Sequence, residues 1–115
     1  MILDADWAWL AGLLEGEGHF RAQQLRTGRP CLRVYVKMTD RDVVERAAVL
    51  MQAPSVRALK PVAEHKQAYE ATANGAAAQR VMERVRPWMG VRRGAKIDQL
   101  LAIPDLSHHP RRVVS

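Results

Sequence analysis

The chain has 115 residues, enough for one domain with a hydrophobic core but short for an enzyme built of two symmetric halves. Lys and Arg total 18 against 12 Asp and Glu, a net charge of +6 that favours a polyanionic partner, with a generically basic soluble protein as the plainer alternative. Cys31 is the only cysteine, which excludes an intramolecular disulfide and a cysteine-rich zinc site, and no apolar run approaches the roughly 18 residues of a membrane span.

Met1-Ile2-Leu3-Asp4 lacks the charged and apolar regions of a secretory signal, so a soluble, cytoplasmic, DNA-associated protein is expected, not a secreted one. Asp4 and Asp6 precede a helix expected over Trp7 to Glu15, and either can cap it. Along that helix Ala8, Gly12 and Gly16 recur at four-residue spacing, leaving a groove in which another helix can lie. Trp9, Leu10, Leu13 and Leu14 supply the remaining apolar faces. Glu15 and Glu17 straddle Gly16 at the helix end, and a carboxylate at the bottom of a helix seam costs free energy unless something positive joins it.

After Gly18 the period changes. His19 to Arg26 and Pro30 to Thr39 read as strands joined by a turn at Thr27-Gly28-Arg29. In the second, Leu32, Val34, Val36 and Met38 take one face, and Arg33, Tyr35, Lys37 and Thr39 the other. In the first, His19, Arg21 and Gln23 share a face opposite Phe20 and Ala22. Thr39 or Asp40 caps a helix over Arg41 to Met51, stopped by Pro54 and Ser55. Val56 to Val62 and Lys66 to Ala73 read as a second strand pair around Ala63-Glu64-His65. Gly75 opens a third helix, Ala76 to Arg86, ended by Pro87-Trp88-Met89-Gly90. A last helix is expected over Gly94 to Leu101, and from Pro104 the chain reads as a basic, mobile tail.

The run Leu10-Ala11-Gly12-Leu13-Leu14-Glu15-Gly16-Glu17-Gly18 resembles the LAGLIDADG motif of homing endonucleases, with Glu in place of Asp at both acidic positions. The order helix, two strands, helix, two strands, helices is similar to that family's αββαββα core, an α+β fold whose saddle-shaped antiparallel sheet carries helices on one face. The resemblance implies an endonuclease domain over residues 1–103, with 104–115 as the tail. Because the motif occurs once, it also implies a homodimer formed through the first helix, with Ala8, Gly12 and Gly16 at the interface. In the family the second acid of the motif binds a divalent metal, which places Glu17 as ligand and catalytic residue, with the carbonyl of Gly16 as a further ligand. The resemblance further implies Arg92 as a charge stabiliser and Lys37 as a polar residue near the attacking water. Glu15, at the first acidic position, is expected to be structural and to have basic neighbours.

The exposed face of such a sheet fits the major groove of double-stranded DNA, which makes His19, Arg21, Gln23, Arg33, Tyr35 and Lys37 candidate DNA contacts, with Arg93, after Pro87 to Val91, as a further one; a merely solvated sheet face is the bland reading. Arg92, Arg93 and Lys96 are equally compatible with non-specific gripping of phosphates. Phosphodiester hydrolysis needs an activated water, charge stabilisation and help for the leaving oxygen, and oxygen ligands suit Mg²⁺ or Mn²⁺. His65, His108 and His109 have no metal-site pattern around them. The function implied is therefore a dimeric, site-specific DNA endonuclease of a mobile element, free-standing, leaving 3′ overhangs and acting on no small molecule. The competing reading is a DNA- or RNA-binding regulator or maturase that keeps the fold without cutting. A chance motif in an interaction domain is the third.

Overall fold

The computed structural model describes residues 2–26, 28, 30–61 and 66–103. Helix α1 (Asp4–Glu17) is longer than expected at both ends. Asp4 and Asp6 do not precede it; Leu3 holds the N-cap position and the two aspartates lie in the first turn, where negative charge complements the helix dipole. Asp6 still satisfies an open donor, its Oδ2 accepting from the Leu3 N–H at 3.0 Å.

Strand β1 (Gly18–Gln24) follows α1 with no residue between them. That abrupt change of direction explains the last glycine of the motif. A Cβ on Gly18 would lie 2.6 Å from Leu14 Cδ2 and 2.9 Å from Leu14 Cα, too close for any other residue without a shift. β1 then pairs antiparallel with β2 (Pro30–Met38), from Gly18 opposite Val36 to Gln24 opposite Pro30. The alternation expected of β2 is observed: Leu32, Val34 and Val36 are fully buried, while Lys37 is exposed.

Helix α2 (Arg41–Met51) has Asp40 at its N-cap, whose carbonyl accepts from the Val43 and Val44 N–H groups at 3.1 Å each; its carboxylate makes no capping bond. β3 (Val56–Ala58) and β4 (Tyr69–Asn74) are both shorter than the strands read from the sequence. Pro61 offers no N–H to a ladder, and the Gln67 amide donates to the carbonyls of Leu59 and Ala68, so regular pairing stops near Leu59. The expected turn at Ala63-Glu64-His65, turn residues Thr27 and Arg29, and the 104–115 tail lie outside the described residues. The sheet order is β1-β2-β4-β3, antiparallel throughout.

Helix α3 (Gly75–Val85) begins directly after β4, and Gly75 makes that junction with a φ of 61°, a conformation glycine adopts without steric cost. A 3₁₀ turn over Arg86–Trp88 follows, then helix α4 (Val91–Leu101), which starts three residues before the expected Gly94. Gly94 is no terminus. The Arg86 guanidinium lies over it, 2.6 Å from where a Cβ would stand, on its way to a two-pronged bond with Asp98 at 2.8 Å for each contact. Trp7, Leu10 and Leu14 from α1, Val44 and Met51 from α2, Val81 and Met82 from α3, and Ile97 from α4 meet the buried sheet face in one core. Each such side chain contributes about 1.5–3 kcal/mol by leaving water. Among the described residues no helix is long and apolar enough to cross a membrane.

Candidate nucleic-acid interface

Antiparallel register aligns the outward side chains of the sheet in rows. His19, Tyr35 and Thr72 form one row, Arg21, Arg33 and Asn74 the next, and Lys37, Glu70 and Arg57 a third. Glu70 is the one acid in the four strands, and Arg57 neutralises it at 2.6 Å. The His19 and Tyr35 rings stack with centroids 4.7 Å apart, Arg21 Nη1 donates to the Tyr35 hydroxyl at 3.2 Å, and Arg33 donates to the Gln23 side-chain oxygen. These contacts hold long cationic side chains upright over the strands and lower the entropy lost when a ligand orders them.

Helix α4 closes one side of this surface. Ile97 and Leu100 bury its inner face, which turns Arg92, Lys96 and Gln99 toward the sheet. Between them and His19, Arg21 and Tyr35 lies an open cavity of about 520 Å³, also lined by Arg93, with no acidic residue among its walls. Such a concentration of fixed positive charge attracts a polyanion along its field. Sequence reasoning connected Arg92 and Lys96 with phosphate but did not see that they share a face with Gln99. The signal was available in the 92, 96, 99 spacing of one helix stripe, and starting the helix at Gly94 hid it.

The motif end stands beside this cavity. Glu17 is exposed at the last position of α1, and Lys37 lies one residue beyond Val36, the partner of Gly18, where it pairs with Glu70 of β4. Gly16 is exposed as well, and its carbonyl is among the last four of a helix, which lack an intrahelical donor. Two hard oxygen donors at an exposed helix end suit Mg²⁺, Mn²⁺ or Ca²⁺. They are a partial set, because among the described residues no group of three or more His, Cys, Asp or Glu side chains could hold a metal.

The two remaining motif positions behave differently from Gly18. A Cβ on Gly12 or Gly16 would meet nothing within 4 Å among the described residues, and Ala8 is exposed, so no described residue covers this stripe of α1. Glu15 does have the basic and polar company expected of it. Its Oε1 accepts from the Gly90 N–H at 2.8 Å, and its Oε2 lies 3.7 Å from Arg93 Nε. Arg93 itself is largely buried and donates from Nη1 to the Gly18 carbonyl at 2.6 Å.

No family model matches the sequence, and no curated protein matches it. Solved structures do. Homing endonuclease I-CvuI, in complex with its target in the presence of calcium, superposes with a TM-score of 0.67 at 20% identity over 85% of this chain and 64% of that one. LAGLIDADG meganuclease I-AabMI, bound to uncleaved DNA, gives a TM-score of 0.58 at 15% identity over 81% of this chain. The fold is that of the LAGLIDADG homing endonucleases. The intron-encoded endonuclease I-CeuI, complexed with DNA, shares it at a TM-score of 0.59 and 18% identity over 88% of this chain. The chain spans less than two thirds of I-CvuI and 33% of the I-AabMI chain, so what it shares with them is a LAGLIDADG core. The resemblance first seen in the nine residues Leu10–Gly18 thus extends to the fold of most of the chain.

Proposed function

We propose that two copies of this chain form a site-specific, divalent-metal-dependent DNA endonuclease. The observation that carries the reading is an exposed Glu17 two residues before His19, which lines a cationic cavity free of acids, at the end of the helix that leads into an outward sheet face bearing Arg21, Arg33 and Lys37. The uncovered Ala8–Gly12–Gly16 stripe supports pairing through α1, and pairing would bring a second Glu17 to the same seam. Two unshielded carboxylates there repel, which makes the site favourable for cations.

The outward sheet rows enter the major groove, where His19, Arg21, Gln23, Arg33 and Tyr35 meet base edges and phosphates. Arg92, Lys96 and the cavity wall draw the sugar-phosphate chain toward Glu17 and oppose the charge that builds on phosphorus during cleavage. Lys37, one residue beyond the partner of Gly18 on β2, offers a donor to the water that attacks. Glu17 and the Gly16 carbonyl would hold Mg²⁺ or Mn²⁺, which when bound would supply charge neutralisation and lower the pKa of water. Cleavage of both strands across the dimer axis would leave 3′ overhangs, as expected of an enzyme serving a mobile intron, intein or phage element.

Because the described residues bring together no group of three His, Cys, Asp or Glu side chains, a protein that binds DNA or RNA without cutting is the second reading. Cleavage of a randomised-target plasmid library with and without Mg²⁺ separates the two. Wild type is expected to cut a small subset of targets only with metal, and Glu17→Gln to lose about 10³-fold or more in rate while still binding DNA. Binding without cutting on every target would establish the second reading.

A further inference from the structure

Glu17 takes part in no side-chain hydrogen bond or ion pair among the described residues, so its position is set by the backbone that carries it. That backbone is tied on both sides. Two residues earlier, the Glu15 carboxylate accepts the Gly90 N–H at 2.8 Å; one residue later, the Gly18 carbonyl accepts from Arg93 at 2.6 Å. Both ties run to the start of α4, since Gly90 is its N-cap and Arg93 lies in its first turn. We infer that Glu15 and Arg93 are positioning residues that hold the Glu17 carboxylate in register with the basic face of α4, building on the metal-dependent reading above.

The electrostatics favour this arrangement. At the end of its own helix the Glu15 charge opposes the α1 dipole, but at the N-terminus of α4 the same charge is stabilising by about 0.3–1 kcal/mol. Arg93 is only 16% exposed, and its Nε has no hydrogen-bond partner. This guanidinium is withdrawn from water against two groups of the motif end, the Gly18 carbonyl and the Glu15 carboxylate 3.7 Å away, and that pairing offsets the cost of burying it. It fits a site in which Arg92, the preceding residue, must keep a constant distance from the carboxylate. α4 does not depend on these ties for docking, because Ile97 and Leu100 are buried in the core and Arg86 is bonded to Asp98. Breaking the clamp therefore loosens the motif end and leaves the helix in place.

The test titrates Mn²⁺ onto the full chain, with and without a generic DNA duplex, and follows free Mn²⁺ by electron paramagnetic resonance. Duplex affinity and thermal melting are measured on the same samples. Glu15→Ala is expected to weaken Mn²⁺ binding by about 10-fold or more, the scale typical of groups that orient a metal ligand, with duplex affinity changed less than about 2-fold. Glu15→Gln keeps an oxygen acceptor for Gly90 and is expected to restore most of the Mn²⁺ affinity; Arg93→Lys, which loses the fork reaching Gly18, is not. Wild-type Mn²⁺ affinity in Glu15→Ala, beside its loss in Glu17→Gln, would overturn the clamp and leave the metal reading standing. Equal losses in Glu15→Gln and Glu15→Ala would also overturn it, since charge and not the Gly90 bond would then be responsible. No Mn²⁺ binding by the wild type, with duplex or without, removes the metal reading and the clamp together.

Discussion

Three glycines in the motif stand under different constraints, and the difference can be measured. Gly18 is required by its own chain: Leu14 occupies the space a Cβ would need, so Gly18→Ala must push the end of α1 away from β1. The expected cost is about 1–3 kcal/mol of stability, the usual range for forcing an extra methyl into a packed site. A chemical denaturation midpoint unchanged from wild type would contradict it. Gly12 and Gly16 face open space, and a helix interior ordinarily prefers Ala to Gly by about 0.5–1 kcal/mol. Glycine there is a loss to the isolated chain, and a partner surface is the physical reason to accept it. The glycine pattern was legible in the sequence; which glycine answers to which neighbour was not, because the packing of Leu14 on Gly18 depends on the absence of any loop after α1.

At the scale of elements, α4 shows how a correct local reading can start in the wrong place. Gly94 looks like a helix boundary because glycine usually is one, yet it sits inside the helix to make room for Arg86. The bonded Arg86 guanidinium lowers the Asp98 carboxyl below its ordinary value near 3.8, chiefly through their hydrogen bond. A depressed carboxyl pKa contributes stability above the unfolded value and loses it as pH falls through the folded one. Asp98→Asn is therefore expected to melt slightly lower than wild type at neutral pH, with the gap closing as pH falls from about 3.8 downward. The pair is solvent-exposed, so the gap is small. Melting curves from pH 7 to 2 that keep a constant gap would assign the difference to something other than this titration. The shortened β3 carries a related lesson: Pro61 and the Gln67 amide end its pairing, and of these only the proline could be weighed from composition.

For the whole molecule, charge and self-association are the properties to test. If α1 is the seam, Gly12→Leu should shift sedimentation from dimer toward monomer while far-UV circular dichroism stays helical, since no described residue meets that side chain's first carbon. A variant that sediments as the wild-type dimer would put the interface elsewhere. If α4 faces the DNA backbone, Lys96→Ala should weaken binding to all sequences alike and make the plot of log affinity against log salt shallower by about 0.9. An unchanged slope would mean that Lys96 touches no phosphate.

Read by itself, the chain determined the element types, the buried and cationic faces of the sheet, and the acidic helix end, because each of these follows from spacing within about ten residues. The tertiary structure alone decided what surrounds that end. Glu15 meets Gly90, and Arg93 meets Gly18, across 75 residues in each case. No local periodicity encodes such partners. They come together because burying Ile97 and Leu100 docks α4 on the core beside β1, and that docking carries its N-terminus to the motif.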